Sequence, residues 1–158
     1  LPGGKVAFWE GIMPIARDDA GIAVIMGHEV SHALARHGAE RMSQSMGAEA
    51  AVQFLGAGVG IANPALREDA LKALGMGASL GVLLPWGRTQ ESEADRIGLT
   101  LMAKAGFDPI SAVNFWERMA KVAGDKPPEF LSTHPSDLTR INQIKEWLTE
   151  AREFYRGK

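Results

Sequence analysis

The chain has 158 residues and a net charge of −2, from 17 Lys and Arg against 19 Asp and Glu. Its length fits one compact domain, and its content of 46% hydrophobic and 23% charged residues is that of a globular protein rather than a disordered one. The balanced charge removes the basic surface that nucleic-acid binding needs, and the absence of Cys excludes cysteine nucleophiles, Cys-ligated zinc and iron–sulfur clusters. Any metal must therefore bind to His and carboxylate side chains.

The predicted elements are mostly helices. Residues 5–9 follow a Gly-Gly turn and are rich in strand-forming side chains, so they predict a strand or one arm of a hairpin. Asp18 or Asp19 can cap a helix over residues 20–44. Apolar stretches flanked by Gly, Pro or Ser predict further helices, at residues 54–62, 73–84, 89–105, 108–123 and 136–155.

A single domain is expected over residues 1–158. The chain starts with Leu1-Pro2-Gly3-Gly4 and has no initiator Met, so we expect it to be the C-terminal part of a longer polypeptide. The uncharged run at residues 73–87 has 15 residues, fewer than the roughly 20 that a membrane-spanning helix needs. We therefore expect no spanning helix, and membrane contact only through a preceding segment or the Gly-rich apolar helices.

Two features of the apolar residues favour a core interpretation. The spacings Gly56-x-x-x-Gly60 and Gly77-x-x-x-Gly81 are also found where membrane helices pair, but in runs this short they favour tight internal packing. Most of the seven Met and all four Trp are expected in the core, the latter being Trp9, Trp86, Trp116 and Trp147.

The segment His28-Glu29-Val30-Ser31-His32 matches the HExxH pattern of zinc peptidases and lies in a predicted helix, as that pattern requires. Residues four apart lie about 40° apart around a helix, so the two imidazoles can bind one ion. Glu29 lies about 100° from His28 and can reach a water on the metal without binding the metal. The pattern predicts one zinc ion per chain.

His37 is a poor candidate for the third ligand. It lies roughly 180° from His28 around the helix, and the longer HExxHxxGxxH pattern is absent because Ala35 and Gly38 stand at its Gly and His positions. We expect His37 at the surface or in a layer behind the site.

The better candidates are carboxylates on a later helix. Glu91 and Asp95 are four residues apart and share one face, whereas Glu93 points away from it. Two His and one Glu with an open fourth position form a catalytic zinc site, and an Asp one turn further on can orient a ligating His. The alternative is an acidic, solvated helix face.

The ordered motifs of the whole chain resemble one peptidase family. After Leu1-Pro2-Gly3-Gly4 and the HExxH segment they are Ala33-Leu34-Ala35-Arg36-His37-Gly38-Ala39-Glu40-Arg41, Leu84-Pro85 with Arg88, Glu91-x-x-Ala94-Asp95, Thr133-His134-Pro135-Ser136 and Arg140-Ile141. This set is similar to that of peptidase family M48. Within the family it is most similar to the branch of bacterial envelope peptidases that includes LoiP and BepA, and to their mitochondrial inner-membrane relative.

The resemblance implies a mainly α (α+β) gluzincin-type domain, with active-site helices and a small β-hairpin or edge strand at the N-terminus. It implies His28, His32 and Glu91 as zinc ligands, Glu29 as the catalytic base and Asp95 as a supporting residue. It also implies a membrane-associated location in the bacterial envelope, in the periplasm, and proteolysis of misfolded or unassembled proteins.

His134 and Arg140 are the remaining candidate catalytic residues, as donors to the oxyanion of the tetrahedral intermediate. The resemblance places the His134 junction over the metal, where its imidazole either fills the fourth zinc position or assists catalysis. Arg140 is alternatively an ordinary surface charge. The competing function is a zinc-containing chaperone or assembly factor with little or latent proteolytic activity, and the sequence leaves open whether the chain forms oligomers.

Overall fold

The computed structural model describes residues 6–122, 134 and 138–157. Two 3-10 turns, Glu10–Ile12 and Pro64–Leu66, directly precede the α-helices that begin at Met13 and Arg67, and a π-helical turn, Ser79–Leu83, precedes the α-helix that begins at Leu84. Most of the described residues lie in α-helices, which confirms the mainly α prediction. The helices are α1 (Met13–Ala16), α2 (Asp19–Leu34), α3 (His37–Ala62), α4 (Arg67–Ala78), α5 (Leu84–Lys104), α6 (Ile110–Val122) and α7 (Leu138–Arg152).

The N-terminal strand is a correction to the predicted α+β fold. Residues 6–9 have no regular secondary structure, and Trp9 leads directly into the turn at Glu10–Ile12. A strand needs a neighbouring strand to pair its backbone groups, and the described part of the chain contains none. The predicted strand is therefore wrong for residues 6–9, while Lys5 and the Gly-Gly turn lie outside the described residues.

The helix predicted for residues 20–44 is in fact two helices. α2 begins as expected at Asp18, whose side chain accepts a hydrogen bond of 2.9 Å from the backbone N–H of Gly21. It ends at Leu34, and Arg36 has a positive φ of 59°. A left-handed residue cannot continue a right-handed helix, so α3 starts afresh at His37.

The chain divides into two compact units, of which the first comprises Leu1–Ala35 and Glu91–Lys158 and the second Arg36–Gln90. The prediction of one domain over residues 1–158 stays a prediction. In the first unit, α2, α5, α6 and α7 enclose a core of buried apolar side chains that includes Val24, Ile25, Leu99, Met102, Phe115, Trp116, Met119 and Ile144.

In the second unit α3 packs against α4 to form a helical hairpin. A Cβ atom at Gly56 would lie only 2.2 Å from Leu71 Cδ2, which confirms the tight packing predicted for this glycine. A Cβ atom at Gly77 or Gly81 would have no neighbour within 4 Å, so the same prediction is wrong for that pair.

One long helix also corrects the expectation that no helix can span a membrane. The 3-10 turn, α4, the π turn and α5 form one continuous helix, Pro64–Lys104, of 41 residues. An 18-residue window of this helix has a mean hydropathy of 1.2, and none of that window is buried. By length and composition alone, the helix qualifies as a candidate membrane span.

The expected core role of the Trp residues holds for half of them. Trp116 is buried, and Trp147 is partly buried against the core. Trp9 is 54% and Trp86 44% exposed, so the prediction is wrong for these two. The core prediction for most of the seven Met is also wrong, because only Met102 and Met119 are buried. The five exposed residues are Met13, Met26, Met42, Met46 and Met76.

Two glycines bring α2 and α5 close together in the first unit. A Cβ atom at Gly27 would lie 2.8 Å from the carbonyl oxygen of Gly98, and a Cβ atom at Gly98 would lie 3.0 Å from the backbone nitrogen of His28. Because the clashing atoms belong to backbone, a larger residue at either position would push the helices apart. The HExxH segment and Glu91 lie on these two helices, so their separation sets the geometry of the candidate site.

We expect Gly98→Ala to lower the free energy of unfolding by about 1–3 kcal/mol, because overpacking forces the two backbones apart. Gly47→Ala is the matched control, since its Cβ would meet nothing within 4 Å and Ala is favoured over Gly in a helix by up to about 1 kcal/mol. Urea denaturation of both variants measures the difference. Equal stability of the two would contradict the proposed close packing.

Candidate metal centre

Three side chains predicted as ligands come together in the first unit. His28 Nε2 lies 3.0 Å from His32 Nε2 and 3.3 Å from Glu91 Oε2, and His32 Nε2 lies 3.3 Å from Glu91 Oε1. Donors about 2.0–2.1 Å from a tetrahedral zinc ion lie roughly 3.3 Å from one another. The spacing of these donors therefore fits a metal ion at their centre.

His134 adds a fourth donor to the group. Its Nδ1 lies 3.1 Å from His28 Nε2 and 2.9 Å from Glu91 Oε2, and the four ligand atoms all lie within 4.8 Å of one another. In an open catalytic zinc site the fourth position belongs to water or substrate. The neighbours that were predicted to shape this junction, Thr133, Pro135 and Ser136, lie outside the described residues.

Asp95 holds the ring of His28 from behind. Its Oδ1 lies 2.9 Å from His28 Nδ1, and both side chains are buried. Because Nδ1 is hydrogen-bonded to the carboxylate, the Nε2 atom of the ring points toward the other donors. A carboxylate in this position fixes the tautomer and orientation of a metal-binding His, as the sequence predicts for Asp95.

Arg140 lies beside the carboxylates and is itself buried. Its Nη2 donates a hydrogen bond of 2.8 Å to Asp95 Oδ1, its Nε donates to Asp95 Oδ2, and its Nη1 lies 3.4 Å from Glu91 Oε2. The guanidinium carbon lies 3.6 Å from the ring centroid of Trp116. Because the side chain is buried, the surface-charge alternative is wrong, and the predicted catalytic role of Arg140 stays a prediction.

Burial and charge shift the pKa values of this group in directions that follow from the contacts. Burial lowers the pKa of His28, but hydrogen bonds to Asp95 and Glu91 outweigh it and leave that pKa raised. Burial opposes ionisation of Asp95, yet the charge of Arg140 holds its pKa below the usual range. Hydrogen bonds from the histidines do the same for Glu91. These directions favour the ionised form of both carboxylates. A metal ion binds only to neutral imidazole, so it competes with protonation of His28.

Glu29 faces a groove rather than the buried side of the donor group. The groove is lined by Phe8, Trp9, Ile12, Ile25, Glu29 and His134. Glu29 Oε1 lies 3.3 Å from His134 Nε2, and its side chain is 28% exposed. A carboxylate next to the donors and open to solvent can exchange protons with a water that enters the groove.

Two further candidates were weighed in the sequence. Glu91 is buried whereas Glu93 is exposed, so the predicted helix phase agrees with the structure. His37 begins α3 in the second unit and is buried, so the surface alternative is wrong, while the alternative of a layer behind the site stays a prediction. Sequence reasoning did not find the Gly27–Gly98 approach or the ring of Trp116 under Arg140, since neither has a local pattern.

His28, His32, Glu91 and His134 form a group of side chains that could hold a metal ion, as in the class of metal-dependent peptidases. Residues 1–148 match peptidase family M48. The chain belongs to this family, as its motifs predict.

Its relatives fall in both predicted branches. The chain is 42% identical over 154 residues to the mitochondrial metalloendopeptidase OMA1 of Schizosaccharomyces pombe, covering 96% of this chain and 43% of that protein. It is 29% identical over 170 residues to the beta-barrel assembly-enhancing protease of Escherichia coli, covering 99% of this chain and 34% of that protein. The chain thus spans less than half the length of these relatives. No solved structure gave a significant match.

The location predicted for the chain is not decided by these relatives. They include a mitochondrial protein at higher identity than the bacterial one. The bacterial envelope therefore stays a prediction, and a mitochondrial location fits the relatives equally well.

We predict that Glu91→Gln sharply lowers the zinc content of the purified chain, because a neutral amide replaces an anionic ligand. Glu93→Gln is the matched control on the same helix and should retain about one zinc per chain. Metal analysis after dialysis measures both. The reverse ranking would show that Glu91 is not the third ligand.

Proposed function

We propose that this chain is a zinc-dependent endopeptidase that cleaves misfolded or unassembled membrane and envelope proteins. One observation carries the proposal: two His of an HExxH helix and a carboxylate from a second helix converge within about 3.3 Å of one another, with Glu29 beside them in an open groove. Membership in peptidase family M48 supports the same reaction class.

The donor chemistry supports zinc as the metal. Imidazole nitrogens with one carboxylate suit Zn²⁺, whereas Ca²⁺ and Mg²⁺ prefer all-oxygen sites. We assign His28, His32 and Glu91 as the ligands. When bound there, zinc would acidify water and polarise the scissile carbonyl.

Glu29 is assigned as the general base. Its carboxylate would accept the proton of the attacking water and later deliver it to the leaving amine. Asp95 keeps His28 Nε2 directed at the donors, and Arg140 keeps Asp95 ionised and in place. Both are positioning residues in this scheme.

His134 is assigned a regulatory role. Its Nδ1 lies at the fourth position of the donor group, which water or substrate must occupy. In this arrangement its imidazole keeps water out. Once withdrawn from the fourth position, the same ring could donate a hydrogen bond to the oxyanion of the transition state. This contact also supports the second candidate function, a zinc-containing chaperone or assembly factor with latent proteolytic activity.

The groove supports an extended, unfolded substrate. Phe8 and Trp9 lie along it without regular secondary structure, and apolar side chains next to the scissile bond would bind exposed apolar residues of a misfolded chain. The E. coli relative is named a beta-barrel assembly-enhancing protease, which supports membrane proteins as substrates. A compact folded domain cannot enter such a groove without unfolding.

We expect Glu29→Gln to keep its zinc and to lose turnover of an unfolded, reduced protein by roughly 10²–10⁴-fold, as for removal of a general base. Glu153→Gln is the control, because Glu153 is exposed and follows the last helix of the chain, and this variant should retain full activity. Gel-based cleavage assays with parallel metal analysis make the comparison. Unchanged turnover in the Glu29 variant would refute the general-base assignment, and no cleavage by the wild-type chain under any condition would favour the chaperone.

We expect His134→Ala to increase turnover of a short unfolded peptide, because water then enters the fourth position. If His134 served mainly as an oxyanion donor, the same variant would lose roughly 10²–10³-fold in turnover. Steady-state kinetics with zinc-loaded protein separate the two roles. Wild-type turnover in the variant would exclude both.

A further inference from the structure

The second unit, Arg36–Gln90, exposes large apolar side chains over most of its length. Phe54 is 80% exposed, Met76 64% and Leu80 61%. Soluble monomers rarely expose contiguous apolar surface on this scale, and where they do it marks a binding surface. The side chains in question lie on both helices of the hairpin and include Met42, Met46, Phe54, Met76, Leu80 and Leu84.

The exposed residues surround the second helix instead of forming one stripe. Met76, Leu80 and Leu84 recur at intervals of four and lie on one side, while Val82 and Trp86, 49% and 44% exposed, fall between them on another side. A helix that docks into a protein groove, or onto a second copy, has a single apolar face. A helix that is apolar all round and unburied is suited to a hydrocarbon environment.

The charged residues of the hairpin lie outside its two apolar runs. Residues 50–66 and 73–87 form uncharged runs of 17 and 15 residues, the segment between them carries Arg67, Glu68, Asp69 and Lys72, and exposed Arg36 and Arg88 lie at the opposite end. These two Arg lie at the same end of the hairpin. The Gln90 side chain forms hydrogen bonds of 2.7 Å with the side chains of Arg41 and Glu40, and these bonds connect the start of α3 to α5. Trp86 lies two residues from Arg88, and a Trp beside basic residues is typical of the membrane–water interface.

We propose that the hairpin Arg36–Gln90 binds a lipid bilayer, with Phe54, Met76, Leu80 and Leu84 in the hydrocarbon and with Arg36 and Arg88 at anionic headgroups. This surface is separate from the metal site and goes beyond the proposed peptidase function. Binding therefore requires neither zinc nor Glu29, and loss of one property leaves the other measurable.

The absence of Cys allows a direct test with the full 158-residue chain. Single Cys residues introduced as Leu80→Cys and Phe54→Cys are labelled with an environment-sensitive fluorophore, and Val122→Cys, an exposed apolar position in the first unit, is the control. With vesicles of phosphatidylcholine and phosphatidylglycerol, we expect a blue shift at positions 80 and 54 that brominated lipids quench. Position 122 should show neither change.

Vesicle flotation adds a test without labels. The double variant Leu80→Gln with Val82→Gln should partition at least roughly tenfold more weakly, since each change removes apolar burial, while Val122→Gln with Phe154→Gln should bind as wild type. Arg88→Gln should weaken binding to anionic vesicles by about fivefold and leave binding to pure phosphatidylcholine unchanged. Glu29→Gln should float like wild type.

Three results would overturn the proposal. The first is a label at positions 80 and 54 that remains in water when vesicles are present. The second is equal flotation of the Leu80–Val82 variant and its control. The third is a blue shift that appears without lipid and grows with protein concentration, since it would mean that a second copy of the chain covers this face.

Discussion

The candidate site depends on how closely α2 and α5 approach at Gly27 and Gly98. Neither position has room for a side chain, since a Cβ on Gly98 would lie 3.0 Å from the backbone nitrogen of His28. His28 follows Gly27 directly, and Asp95 precedes Gly98 by three residues, so the approach places an imidazole against a carboxylate. A single methyl group at this point would move both helices and every donor that they carry.

Buried charges keep the donor side chains oriented and ionised. The Arg140 guanidinium, held on the ring of Trp116, compensates Asp95, and Asp95 in turn orients His28. An unpaired buried carboxylate would instead take up a proton, and its hold on the imidazole would weaken. The ionised state that metal binding needs is therefore maintained by residues that are not themselves assigned as ligands.

Local patterns in the sequence predicted the donors His28, His32 and Glu91, because helical periodicity alone puts i and i+4 on one face. The cap at Asp18 and the tight packing of Gly56 followed from equally local rules. The strand at residues 5–9 failed because a strand depends on a partner that local sequence does not reveal. The contacts of Arg140 could not be predicted for a similar reason: its partners Asp95 and Trp116 are distant in sequence, and no spacing predicts such a contact. Its catalytic role stays a prediction.

X-ray absorption at the zinc edge of the zinc-loaded chain counts the ligands of the metal by type and so tests the assigned donor set. In the wild-type chain we expect a four-coordinate ion with three imidazoles and one carboxylate oxygen at about 2.0–2.1 Å. In the His134→Ala variant one imidazole should be replaced by a water oxygen while the other ligands remain. A spectrum with fewer than two imidazoles in either protein, or one that does not depend on Glu91, would contradict the account.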